Sequence, residues 1–217
     1  MNMKANIITL ATSKGGVGKS TLARNLAAHW SNIGMSVAII DADPQGSIIN
    51  RHDPNGPMGN ISVIAEPEEK VFSTIEEIQN KFNYIIVDTG GFRNRTTVRA
   101  LIATNLAIIP LKPSADDVAG ALETHSLIQE LNKTPERGST PIKYRMIITM
   151  SQQNTVITRH VRGELEQLGY LVLKSEMYHR VAYPEASING LSPCILDPDG
   201  PAARDISNII TEINNAL

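Results

Sequence analysis

With one cysteine, Cys194, the 217-residue chain has no internal disulfide framework and no cysteine-only metal or iron–sulfur site within one copy. That scarcity suits a reducing cytoplasm. No apolar run approaches membrane-spanning length. The opening apolar stretch, broken by Thr9 and Thr12, is too brief for a signal peptide, so no targeting segment is expected. An excess of one charge is also missing. Twenty Lys and Arg against 22 Asp and Glu leave a net charge of -2, which neither proposes nor excludes a polyanionic partner. Any nucleic-acid site must then be a local patch. What is present, 41% hydrophobic with 19% charged residues, describes a chain that folds in water around a core. The span 1–217 reads as a single domain.

Short apolar runs at 6–11, 37–41, 84–88, 106–111, 145–150 and 170–173 alternate with segments of helical period at 20–33, 75–81, 96–104, 116–131, 155–168 and 202–217. The runs show little polar alternation, as strands covered on both faces do. The expected fold is α/β: a doubly wound, mostly parallel sheet flanked by helices. The loop-rich stretches 51–59 and 134–141 read as surface loops within it.

The strongest chemical signal is Lys14-Gly15-Gly16-Val17-Gly18-Lys19-Ser20-Thr21, directly after the first run and opening the first helix. Glycines let backbone amides turn inward around phosphate oxygens, and the helix N-terminus adds partial positive charge. Lys19 is expected to reach the β- and γ-phosphates and Ser20 to ligate Mg²⁺. The first glycine of the usual G-x-x-x-x-G-K-[ST] pattern is Ser13 here, and an additional lysine, Lys14, opens the loop.

This loop resembles that of the deviant Walker A ATPases of the ParA and MinD superfamily, K-G-G-x-x-K-[ST], residue by residue over 14–20. The resemblance implies the P-loop NTPase fold, ATP with Mg²⁺, and Lys14 acting across a dimer interface on the partner's nucleotide. Asp41-Ala42-Asp43-Pro44-Gln45-Gly46 ends the second run, at the sheet edge that also carries the loop. It resembles the D-x-D-P-Q-G stretch of ParA proteins, which implies that Asp41 supports the magnesium shell and Asp43 positions or activates water; a turn or capping role is the competing reading for Asp43. Asp88 closes the run Tyr84-Ile85-Ile86-Val87 in the Walker B manner, aimed at magnesium. Thr89-Gly90-Gly91 follows, with Gly90 a candidate amide donor to the γ-phosphate. Later stretches, 109–116, 180–186 and 200–203, resemble the same family in order.

Guanine readers use N-K-x-D, but Asn132-Lys133-Thr134 is followed by Pro135, so the carboxylate is missing. Adenine is implied by the resemblance, with 149–151 and 179–185 expected as walls of its pocket. For DNA, Arg93, Arg95 and Arg99 follow the second carboxylate loop, and Lys143, Arg145, Arg159, Arg162, Lys174 and Arg180 gather later. Arg159 and Arg162 share a helix face. A phosphate-holding patch and a merely solvated surface fit this pattern about equally, and the resemblance tips the reading to DNA. It further implies an ATP-state homodimer on non-specific DNA, partitioning a plasmid or chromosomal region in a cytoplasmic, nucleoid-associated setting. A ParB-type adaptor would stimulate its hydrolysis. A MinD-like positioning ATPase is the alternative. The last thirteen residues are amphipathic but hold no Lys or Arg, so no stable membrane association is expected. Relatives with an N-terminal helix-turn-helix, a two-cysteine cluster or a tyrosine-rich tail are not matched.

Overall fold

The central strands are apolar on both faces because helices cover both faces. In the computed structural model, which describes residues 4–91, 94–137 and 140–217, the strands are β1 (Asn6–Leu10), β2 (Val37–Ala42), β3 (Ser62–Ala65), β4 (Tyr84–Thr89), β5 (Leu106–Leu111), β6 (Lys143–Ser151) and β7 (Met177–Tyr178). They form one sheet in the order β3-β2-β4-β1-β5-β6-β7, and every pairing is parallel. Period-two alternation sorts their side chains. Ile8, Leu10, Ile39 and Ile108 join one core, packed by α1 (Lys19–Asn32), α6 (Ala182–Ile188), α7 (Pro193–Leu196) and α8 (Pro201–Ala216). Ile7, Ile40, Ile85, Ala107 and Ile109 face the other side, under α2 (Val71–Ile78), α3 (Arg95–Ala103), α4 (Ala115–Leu131) and α5 (Val156–Gln167).

Chain reversal is written in local chemistry. Gly34 and Gly169, both at φ +83°, close α1 and α5 in the left-handed conformation that a side chain disfavours. Ser114 caps α4 by accepting from the Asp117 amide at 3.2 Å while its hydroxyl meets the Asp117 carboxylate, and Pro201 opens α8. Because β2 lies on one side of β1 and β5 on the other, the strand order switches at β1. A crevice therefore opens beyond its carboxyl end.

Several expected elements differ. The run at 170–173 is not a strand: its backbone pairs with β6 through the single bridge of Met146 with Val172. Just after it the Lys174 and Ser175 amides donate to the Glu212 carboxylate, both at 2.7 Å, instead of to a strand, and pairing resumes at β7. The half-buried edge strand β3 and the helices α6 and α7 are additional elements. They are short and carry little periodicity of their own.

Candidate phosphate and metal site

The loop between β1 and α1 is built to leave amides open. Gly16 at φ +68° and Gly18 at φ +87° turn the backbone left-handed, and Gly18 caps α1 with no side-chain acceptor for the first-turn N–H groups. No acidic residue occupies that first turn, so the positive end of the helix is available to an anion. Three contacts hold the loop. Thr149, fully buried at the end of β6, donates its hydroxyl to the Val17 carbonyl at 2.8 Å, and the Ser13 amide donates to Thr124 of α4 at 3.1 Å. At Gly120 a Cβ would come within 2.6 Å of Ser13 Oγ and 2.7 Å of Lys14 Cγ, so the absent side chain lets α4 press against the loop.

Around the loop lies a cleft of about 540 Å³ lined by Lys14, Gly15, Gly16, Gly18, Lys19, Ser20 and Thr21, with Asp43, Gln45, Gly90 and Met150 opposite. A larger groove of about 860 Å³ between α2 and α3 holds none of these groups. Burial lowers the Lys19 pKa, and the neighbouring Asp88 and Asp43 oppose that shift, which places all three charges together. Lys19 Nζ donates to the Lys14 carbonyl at 3.4 Å, while Lys14 itself is exposed. Gly90 approaches Asp43 so closely that a Cβ would stand 3.0 Å from its carboxylate.

Asp88 is fully buried, and burial pushes its pKa up to about 7. The Ser20 hydroxyl and Lys19 ease that shift, yet neither Asp88 oxygen has a hydrogen-bond partner of good geometry. A buried carboxylate with two open oxygens beside a hydroxyl fits a hard divalent cation such as Mg²⁺. Asp41, expected to support the magnesium shell, is engaged by backbone amides. Its Oδ2 accepts from the Ile48 and Ile49 amides at 2.9 and 3.0 Å and its Oδ1 from the Asp43 amide at 3.3 Å, so it pins the turn after β2. Asp43 accepts from the Gln45 amide at 2.9 Å and also borders the cleft.

The raised Asp88 pKa has a definite sign in stability. An unfolded aspartate ionises near 3.8, whereas the folded one keeps its proton to about 7. Its contribution is therefore complete below pH 4 and lost as pH rises through 7. In nucleotide-free protein, Asp88→Asn should raise the thermal midpoint by about 6 °C at pH 8 and by about a third of that at pH 5. Equal shifts at both pH values, read by differential scanning calorimetry, would show that ionisation of Asp88 carries no penalty.

A family model described as the CobQ/CobB/MinD/ParA nucleotide binding domain matches residues 8–194. The chain belongs to that family. Within the CobQ/CobB/MinD/ParA group it is 26% identical over 214 residues to the maintenance of carboxysome distribution protein A of Halothiobacillus neapolitanus, covering 97% of each chain. It is 27% identical over 182 residues to the protein ParA of Rhizobium radiobacter, covering 82% of this chain and 80% of the other. The septum site-determining protein MinD of Pyrococcus horikoshii, solved with Mg-ADP, superposes with a TM-score of 0.76 at 13% identity, covering 96% of each chain, which shows a shared fold.

Other expectations within this family frame fare unevenly. Of the expected adenine walls, Thr149 and Ser151 are fully buried and committed to Val17 and to Glu176, at 2.8 and 2.6 Å; between them only Met150 lines the cleft. The 179–185 segment borders a separate pocket with Pro193 and Pro201. Among the expected DNA contacts, Arg162 donates to Glu176 at 2.9 Å, and Arg180 grips Asp205 at 2.6 and 2.9 Å. Both guanidiniums are partly exposed and are paired with carboxylates of the same chain. Arg159 and Lys174 are exposed, and their side chains make no ion pair among the described residues. Arg93 lies outside the described residues. Thr124 and Gly120 are site residues that motif reading passes over, and Thr149, expected beside the base, instead anchors the loop. A glycine inside a helix is the one local signal, since it costs the helix about 1 kcal/mol without a packing reason.

Proposed function

We propose that the chain is an Mg²⁺-dependent ATPase that dimerises on binding ATP and positions a DNA or macromolecular cargo on non-specific DNA, with hydrolysis stimulated by an adaptor of the ParB type. The observation that carries this reading is the convergence of Lys14, Lys19 and Asp43 on one cleft at the open N-terminus of α1, with Asp88 buried beside Lys19. The loop amides and Lys19 bind the phosphates. Ser20 and Asp88 would hold Mg²⁺, which supplies positive charge to the phosphate oxygens. Asp43, at the cleft wall, orients the attacking water, and the Gly90 amide stands beside it. Lys14, exposed at the mouth, reaches towards a second copy, so that pairing and turnover become one event. ATP then acts as an assembly switch, since whatever binds only the paired state stabilises it.

Arg159 and Lys174 are exposed, and a basic site for DNA phosphates that includes them would gain affinity when dimerisation doubles it. A membrane role is disfavoured by α8, whose Ile206, Ile209, Ile210 and Ile213 are buried in the core rather than offered to lipid.

Co-sedimentation with random-sequence DNA and with anionic liposomes, each with ATP and with ADP across a salt series, tests the reading. ATP-dependent, salt-sensitive retention on DNA supports it; liposome binding alone, or DNA binding indifferent to nucleotide, overturns it. In the same protein Asp43→Ala should trap ATP-bound dimers and lower turnover about 100-fold. Light scattering that finds only monomer with saturating ATP would count against Asp43 as the water-positioning group.

A further inference from the structure

We propose that Arg24 is a positioning residue for Asp43, its guanidinium holding the turn that carries Asp43 against α6. The inference rests on the hydrolytic reading above and deepens it. Arg24 stands four residues after Ser20 on α1, hence on the same helix face one turn deeper, and it is 4% exposed. A guanidinium does not stay buried without partners. Its Nη1 donates to Ser187 Oγ of α6 at 2.8 Å and its Nη2 to the Ser47 carbonyl at 3.1 Å. Arg51 Nη1 donates to that same carbonyl, also at 3.1 Å, so two guanidiniums converge on one backbone oxygen.

The turn is thereby held from two sides. Asp41 binds the amides of Asp43, Ile48 and Ile49 from within the sheet edge, while Arg24 holds Ser47, midway between them, from the helix side. Burial and the neighbouring Arg51 work against the Arg24 charge, and Asp88 and Asp41 offset them in part. Ser47 and Gln45 share the cleft wall with Asp43, so a shift of the Ser47 carbonyl moves catalytic geometry. Beyond α6, Gly190 at φ +69° meets the far end of the same turn. A Cβ there would fall 1.8 Å from the Arg51 carbonyl. Ser192 donates to Asn25 at 2.7 Å, stitching the α6–α7 segment to the helix that bears Arg24. The guanidinium is the one side chain that touches both the turn and α6 through hydrogen bonds, among those the described residues form.

The test uses the full chain with Arg24→Met, Arg24→Lys and Ser187→Ala, following ATP turnover at saturating protein concentration, affinity for a fluorescent ATP analogue, and the thermal midpoint. Arg24→Met should lower kcat about tenfold with KM for ATP held within about twofold, because misplacing a reacting group reduces turnover more than binding. Arg24→Lys should recover part of that loss, and Ser187→Ala should fall between Arg24→Met and wild type. Turnover unchanged in Arg24→Met overturns the inference. So does a loss matched by equal loss of ATP affinity or of folded protein, which marks a merely structural arginine. Should Arg24→Met fail to fold, unchanged kcat in both other variants overturns it equally. Wild-type protein that binds no ATP analogue overturns the hydrolytic reading itself, a failure distinguishable from that of Arg24.

Discussion

Lys19→Ala should abolish productive nucleotide binding, lowering ATP affinity by about 100-fold, the scale of losing charge-assisted hydrogen bonds to phosphate. The ammonium lies within the field of Asp88 and Asp43, and burial already works against its charge. Bound phosphate relieves that conflict, so the lysine gains more from the ligand than a solvated one would. Removing it also strips Asp88 of a stabilising neighbour, since Lys19 is one of the groups that hold the Asp88 pKa down. The variant should therefore remain folded near neutral pH with Asp88 protonated to a higher pH than in wild type. Calorimetric titration with ATP and Mg²⁺ decides the matter. Affinity within threefold of wild type, about 0.7 kcal/mol, would remove Lys19 from the phosphate site.

Lys14→Ala should behave in the opposite manner, keeping most nucleotide affinity and losing turnover by about 100-fold, as when a preorganised charge is withdrawn from developing negative charge. Within one copy the Lys14 carbonyl accepts from Lys19, but its own ammonium is exposed and its Cγ rests over Gly120. That posture leaves the charge at the mouth of the cleft. Turnover per molecule in the wild type should rise with protein concentration as pairs form, and this rise should vanish in Lys14→Ala. Mixing Lys14→Ala with a Lys19→Ala partner gives the sharper result. A lysine acting on the other copy's nucleotide restores turnover at the one site that holds both an intact Lys19 and a partner's Lys14. Full activity of Lys14→Ala at every concentration would falsify the trans role.

What could be read from the sequence was whatever is contiguous. The loop 14–21 and the run closing on Asp88 each carry their chemistry within eight residues, and the structure places both at one crevice. The grip of Asp41 on the Ile48 and Ile49 amides could not be read along the chain, because the fold of the following turn brings those amides to it. The ion pairs of Arg162 and Arg180 were likewise invisible, because their carboxylates, Glu176 and Asp205, lie 14 and 25 residues further on. Pattern along a chain shows periodicity, not who stands opposite. The same limit hid Thr124 and the loop-anchoring role of Thr149, ordinary buried hydroxyls until the loop is laid over them. Strand β3 escaped because four residues at a sheet edge, three half-buried and one exposed, carry no alternation long enough to detect.

The anchoring of the phosphate loop closes a mechanical ring. From Ser13 the path crosses to Thr124, runs down α4, passes through the paired bonds of Asn132 with Ile142, climbs β6 and returns through Thr149 to Val17. Helix and strand resist bending, so such a circuit tilts as a frame instead of absorbing displacement at its weakest joint. From Gly120, where the loop rests, α4 runs on to Leu131, about 16 Å of lever arm, and a rotation of about 5° there would carry that end about 1.4 Å. A change at a phosphate oxygen that tilted the frame would thus be felt at the opposite margin of the sheet, on a surface far from the nucleotide.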